Sequence, residues 1–236
     1  MQSAAVDRGF GFDLLIVRHG QSEANAEGRM QGRFDSPLSA TGREQARAIG
    51  RWLRDRRLGW DVAYTSPLAR ARETAELVAA TYGGAPPVSE PLLCEIAAGA
   101  LEGRLWTEIL AEYPSYAARG ATELGDFSEF GGESYDEVQA RVNAFVDFVR
   151  GRVGDGRRRF LVVGHGGFNF HLVKRLICVP VPRVCILRME NGAVTLIHVE
   201  SRRGTELGDV VFHVPLELMG APVKVPSSEP PPGSAG

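Results

Sequence analysis

Lysine is almost missing from these 236 residues: Lys174 and Lys224 are the only two among 27 basic residues, and 29 acidic residues leave a formal net charge of -2. A chain so balanced has no global positive field for a nucleic acid, and none is expected as a partner. The arginines that make up the rest of the basic side suit planar phosphate clamps, but most of them read as a coding bias. Cysteine is scarce too. Cys94, Cys178 and Cys185 are odd in number and show no CxxC spacing, which argues against a disulfide framework and a zinc knuckle and fits a reducing, cytoplasmic setting. Long apolar runs are also lacking, since Leu14-Leu15-Ile16-Val17 stops at Arg18 and nothing approaches the ~20 residues of a membrane span. The opening MQSAAVDRGFGF does not have the charged-then-apolar form of an export signal. No internal repeat is evident. What is present, 44% hydrophobic and 8% aromatic residues, is the make-up of a globular protein long enough to bury a sizeable core.

Hydrophobic patterning predicts alternating strands and helices. Asp13–Val17 and Phe160–Val163 are short apolar runs without polar alternation, as expected of strands covered on both faces, and Asp61–Tyr64 is a third. Thr41 and Glu44 have capping-box spacing before a helix at about 41–57, and Ser66-Pro67 reads as cap and first position of a helix stopped by Gly83-Gly84. Ser134 and Glu137 repeat the box before an amphipathic helix through Val138, Val142, Phe145 and Val149, and a further helix follows Gly164-His165-Gly166-Gly167 and ends near Ile177. Val184–Met189 and Val194–Val199 around Glu190-Asn191-Gly192 read as a hairpin, with Val210–Val214 as an edge strand that pairs across a homodimer. The expectation is one α/β domain of three layers with a mostly parallel central sheet flanked by helices, over residues 13–219. Residues 1–12 form an extension, about 85–133 a lid or insertion with one short helix at Thr107–Tyr113, and 220–236, with five prolines, a disordered tail.

Open α/β sheets bind ligands beyond the carboxyl ends of their strands, where His19 and His165, each beside glycine, are placed to face one another. Gly20, Gly164, Gly166 and Gly167 would let backbone N–H groups approach an anion. A metal site is not expected, because His165 and His171 lack ligand spacing.

The surrounding blocks carry a resemblance. Leu14-Leu-Ile-Val-Arg-His-Gly-Gln-Ser-Glu-Ala-Asn25 resembles the signature of the histidine phosphatase superfamily, which also contains the cofactor-dependent phosphoglycerate mutases. Gln31–Leu38, Thr65–Ala75, Leu93–Glu95 with Leu101–Gly103, Gly131–Ser134 and Val162–Gly167 resemble further family blocks in the same order, covering residues 14 to about 177. The resemblance implies a phosphoglycerate mutase-like fold and a metal-independent phosphomonoester hydrolase without a cofactor. In it His19 is the nucleophile that forms a phosphohistidine, Glu95 the general acid, and Arg18, Arg70 and a protonated His165 the groups that hold the phosphoryl oxygens. Spacing alone would make Arg70 an ordinary solvated arginine. Gly20, Asn25, Gln31, Gly32 and the Gly166 N–H match substrate-contacting positions, while Glu102 and Glu133 read as bracing residues.

Within the superfamily, mutases resembling this chain carry Arg-His-Tyr after the acid. Ile96, Ala97 and Ala98 stand there instead, which points to the phosphatase branch and to a small phosphorylated metabolite as substrate. A mutase-type phosphotransferase and a non-catalytic phospho-ligand binding member are the alternatives. Trp106, Tyr113, Tyr116, Phe127 and Phe130 would give the lid a preference for an apolar or neutral organic group.

Overall fold

The run Leu14–Val17 has no polar alternation because both faces of its strand are covered. In the computed structural model, which describes residues 11–114, 126–153, 158–177, 189–202 and 205–219, this run lies in β1 (Gly11–Arg18) at the interior of a six-stranded sheet. The other strands are β2 (Val62–Thr65), β3 (Val88–Ser89), β4 (Arg159–Gly164), β5 (Val194–Arg202) and β6 (Thr205–Val214), in the order β3-β2-β4-β1-β5-β6. The four strands from β3 to β1 are parallel, and β5 and β6 add an antiparallel edge. The helices are α1 (Glu23–Glu27), α2 (Ala40–Asp55), α3 (Ala69–Tyr82), α4 (Trp106–Glu112), α5 (Tyr135–Val153) and α6 (Gly166–Leu176). Phe12, Leu14 and Ile16 face α5 and α6, while Leu15 and Val17 face α2 and α3, so successive residues of β1 serve two separate cores. This is the three-layer α/β arrangement that the patterning predicts.

Three local expectations are corrected. Ser39, not Thr41, caps α2 by accepting the Gly42 N–H, and Glu44 pairs with Arg47. Ser66-Pro67 does not open α3: that helix starts at Ala69, whose N–H is taken by the Asp35 carboxylate, and Leu68 at its cap has no side-chain bond. The hairpin around Asn191-Gly192 is also overturned. Both edges of β5 are occupied, by β1 and by β6, which leaves no edge for a strand at 184–189; residues 184–188 themselves lie outside the described residues.

Other expectations hold or fall outside what is described. Ser134 and Glu137 exchange their capping bonds ahead of α5, and the predicted edge strand is present as β6. Within the described residues of 85–133 the chain forms β3, three short 3₁₀ turns and α4. Its aromatics serve the core. Phe127 is buried, Trp106, Tyr113 and Phe130 pack against the same cluster, and Tyr113 meets Phe130 edge-on at 5.1 Å, so their apolar area is spent on packing. Tyr116, most of the terminal extension and the tail lie outside the described residues.

Candidate active site

Because β1 and β4 are parallel and in register, Arg18 stands level with Gly164, and the chain leaves both strands at one edge of the sheet. The next residue of each is histidine. The rings of His19 and His165 face each other with centroids 5.0 Å apart, and both are buried. Expected from the glycine-flanked strand ends, this pairing is what a parallel register enforces.

His19 Nδ1 lies 2.7 Å from the Gly20 carbonyl oxygen. A carbonyl only accepts, so Nδ1 carries the proton and Nε2 keeps a lone pair. Burial first, then the charges of Arg70 and Arg18, hold the His19 pKa well below the ordinary histidine range, although the Gly20 bond opposes them. The ring is therefore neutral at physiological pH. The backbone that carries it is propped from a distant loop: Asn191 Nδ2 donates to the His19 carbonyl at 3.0 Å, and the Gly192 N–H donates to the Arg18 carbonyl at 3.1 Å. Asn-Gly thus supplies a positive φ of 76° at Gly192, as a turn would, and its bonds support the backbone of Arg18 and His19.

Two arginines converge here. Arg18, at the end of β1, donates to the Met189 carbonyl at 2.5 Å and packs against Gly166, where a Cβ would stand 3.2 Å from its guanidinium. Arg70, in the first turn of α3, is 1% exposed and donates to the carbonyls of Gly32 and Phe34 at 2.8 and 3.0 Å, while its Nε has no protein partner. Burial pulls its pKa down to about 10, with Glu95 and Asp35 opposing, and leaves it charged at neutral pH. The helix arginine that spacing alone would assign to solvent is in fact the largest fully buried side chain.

Glu95 sits over the first turn of α6. One oxygen accepts the N–H groups of Ile96 and Phe168, each at 2.9 Å, and the other accepts that of Gly167 at 3.1 Å. This is the anion-friendly end of the helix, and the residue before it is His165. The loop carrying Glu95 is held by Arg141, which donates to the carbonyls of Leu92 and Cys94 at 2.8 and 2.6 Å and forks onto both oxygens of Glu133. Glu133 accepts the Ala97 N–H, and Glu102 accepts the N–H groups of Arg33 and Ala98, so both act as the braces expected of them. Ile96 and Ala98 are buried.

His165 departs from expectation. Burial, followed by Arg70, His19, Arg18 and Arg141, holds its pKa well below the ordinary range, so before an anion arrives it is neutral and not an imidazolium. Its Nε2 lies 2.8 Å from Ser66 Oγ, and its buried Nδ1 has no protein partner.

The positions matched to substrate contacts surround the two histidines and Arg70 with their polar groups largely engaged. Gly20 N–H binds Thr74 Oγ1 at 3.1 Å, so this glycine orients His19, and its missing Cβ makes room for the Gly42 carbonyl. The Ser22 hydroxyl, with one proton to give, lies 2.8 Å from the Gln31 side-chain oxygen and 3.0 Å from that of Asn25, and Gly32 offers its carbonyl to Arg70. Gly166, at the first position of α6, has no hydrogen bond on its N–H among the described residues. Sequence reasoning missed Ser66, Thr74, Arg141 and Asn191. Each acts through a contact remote in sequence, and only the placement of Ser66 directly after a strand hinted at the site. His171 pairs with Gln139 at 3.0 Å, and among the described residues no three His, Cys, Asp or Glu side chains gather as a metal site. No described helix is long and apolar enough to cross a membrane.

Comparison with known proteins gives a consistent picture. A model of the histidine phosphatase superfamily, branch 1, matches residues 14–208. The chain is 33% identical over 194 residues to "Phosphoserine phosphatase 1" of Hydrogenobacter thermophilus, covering 82% of this chain and 90% of that one. It is 34% identical over 187 residues to "Probable phosphoglycerate mutase GpmB" of Photorhabdus laumondii, covering 78% and 83%. In structure it is similar to a mycobacterial glucosyl-3-phosphoglycerate phosphatase solved with VO3, with a TM-score of 0.72 and 27% identity over 85% of this chain and 98% of that one.

Proposed function

This chain belongs to the histidine phosphatase superfamily, branch 1, and is a phosphatase of that class; we propose that it hydrolyses small phosphate monoesters through a phosphohistidine on His19, without a metal ion and in a cytoplasmic setting. The observation that carries this reading is the anchoring of His19 by its Nδ1 proton to the Gly20 carbonyl, which leaves a neutral Nε2 lone pair beside two arginines. A phosphoryl dianion bound there meets the positive groups and N–H donors that its non-bridging oxygens require: Arg18, Arg70, the His165 ring and the Gly166 N–H.

The Nε2 lone pair attacks phosphorus as the bond to the ester oxygen breaks, and the departing alkoxide takes a proton from Glu95. Water then gives a proton to the Glu95 carboxylate and attacks phosphorus, and the N–P electron pair returns to Nε2. Glu95 can carry the proton on the oxygen that accepts only the Gly167 N–H, since its three N–H bonds leave one lone-pair site of the carboxylate open. The arginines supply the positive charge that a metal ion would otherwise bring.

Hydrolysis is favoured over transfer to a second phosphate because Ile96 and Ala98 are packed into the core and Ala97 is tied to Glu133, leaving no side chain there to clamp another anion. The test follows p-nitrophenyl phosphate turnover in excess EDTA by the wild type and His19→Ala. Activity that persists in EDTA, is lost in His19→Ala and passes through an acid-labile, alkali-stable phosphoprotein is expected. Loss in EDTA overturns the mechanism, and transfer to 3-phosphoglycerate outrunning hydrolysis returns the mutase reading.

A further inference from the structure

Ser66 lies at the carboxyl end of β2, where its N–H donates to the Val163 carbonyl of β4 at 3.1 Å, and its side chain is fully buried. Its hydroxyl stands 2.8 Å from His165 Nε2, a contact that the reaction described above does not use. The Leu68 N–H points at the same oxygen from 3.3 Å. The serine oxygen therefore already receives one proton donor, and its own O–H needs an acceptor. Among the described residues the acceptor in reach is the Nε2 lone pair of His165.

If the hydroxyl donates to Nε2, the ring proton of a neutral His165 sits on Nδ1. That atom is buried and has no protein partner, as is Arg70 Nε. Two buried N–H groups left unpaired in one pocket are costly unless something accepts from them, and an anion's oxygens would. The opposite tautomer would strand the serine hydroxyl instead and turn a lone pair toward the phosphoryl oxygens, which repel it.

We infer that Ser66 is a positioning residue that fixes His165 as its Nδ1–H tautomer, so that this histidine gives a phosphoryl oxygen a neutral hydrogen bond and keeps its proton throughout. Which oxygen it serves rests on the reading under Proposed function; the tautomer itself does not. The two histidines then carry their protons on the same ring atom but present opposite faces. His19 is anchored by its N–H and shows a lone pair, whereas His165 is anchored by its lone pair and shows an N–H.

Long-range ¹H–¹⁵N spectra of the ¹⁵N-labelled wild type, with His165→Asn used for assignment, read the tautomer without any turnover. The expected pattern at pH 7 is a protonated Nδ1 and an unprotonated Nε2 at His165, with the Nδ1 proton moving downfield when inorganic phosphate is added. A protonated Nε2, or an imidazolium with both nitrogens protonated, overturns the inference, as does an Nδ1 proton indifferent to phosphate. Ser66→Ala should shift His165 toward the Nε2–H form and lower kcat by about 10- to 100-fold with a smaller change in KM. Ser66→Thr, which retains the hydroxyl, should restore both tautomer and rate to within a few-fold. A Ser66→Ala protein that is merely less stable, with the wild-type tautomer and kcat, also overturns it. Failure of the phosphatase reading would instead appear as absent turnover in the wild type with the tautomer intact.

Discussion

His19 and His165 are anchored through different ring nitrogens, Nδ1 to the Gly20 carbonyl and Nε2 to the Ser66 hydroxyl, and face each other at 5.0 Å between centroids. Burial first, and then Arg70 and Arg18 among the neighbouring charges, hold both rings below the ordinary histidine range, and the difference in anchoring gives one an electron pair to offer and the other a hydrogen.

This has a consequence for stability. Both histidines have pKa values depressed by burial in the folded state, so below their ordinary value the unfolded chain binds protons that the native one does not. Stability therefore falls as pH drops from about 7 toward the folded pKa values, by up to about 1.4 kcal/mol per pH unit for each ring. Denaturant unfolding between about pH 5 and 7.5 should show this slope, and it should flatten by roughly one proton in His19→Asn. An equal slope in that variant would remove His19 from the account.

The role given to Glu95 predicts a dependence on the leaving group. Glu95→Gln should lose roughly 10²- to 10⁴-fold in kcat/KM on an alkyl monoester such as glycerol phosphate, but about tenfold or less on p-nitrophenyl phosphate, whose phenolate departs without a proton. The glutamine carbonyl can still accept from Ile96 and Phe168, and only the Gly167 bond is lost, which limits disturbance of α6. Equal losses on the two esters would show that Glu95 only supports the loop.

Gly166→Ala would bring a methyl to 3.2 Å from the Arg18 guanidinium. The arginine has to move by a few tenths of an ångström, and phosphoryl positioning moves with it. A fall of about 10- to 100-fold in kcat/KM is expected with Tm changed by only a few degrees, since alanine suits a helix better than glycine. Wild-type kinetics would mean that Arg18 does not touch the phosphoryl group.

Arg141 and Glu133 are coupled more than either is to solvent, with side chains 12% and 14% exposed. Arg141→Met should destabilise by about 2 kcal/mol, because it removes the fork on Glu133, leaving that carboxylate Arg33 at 3.2 Å and the Ala97 N–H, and takes the donor from the Leu92 and Cys94 carbonyls. Adding Glu133→Gln should recover part of that loss, which chemical denaturation of the two single variants and the double variant would measure. Additive effects would show that the pair is not a unit.

Much of the fold was legible because burial leaves its mark on each segment separately. Apolar runs at Leu14–Val17 and Phe160–Val163 announced strands covered on both faces, and the Ser134–Glu137 box announced α5, all through neighbours in sequence. Where reading failed, the decisive partner was remote. Asp35 rather than Ser66 starts α3. The edges of β5 were taken by β1 and β6, so the Asn191-Gly192 turn was free to support His19.

For the site the division is the same. The sequence by itself determined which chemical groups are available, two glycine-flanked histidines at strand ends, arginines and a carboxylate, since residue types and their blocks are local facts. Only the tertiary structure decided their states. It buried Arg70 where a solvated helix residue was expected from spacing, kept His165 neutral where a cation was expected, turned Gly20 into the acceptor that sets the His19 tautomer, and gave Ser66 to His165. The physical reason is that protonation, tautomer and side-chain geometry follow from desolvation and from hydrogen-bond partners, adjacent like Gly20 or remote like Ser66, that are placed only once the strands have come into register.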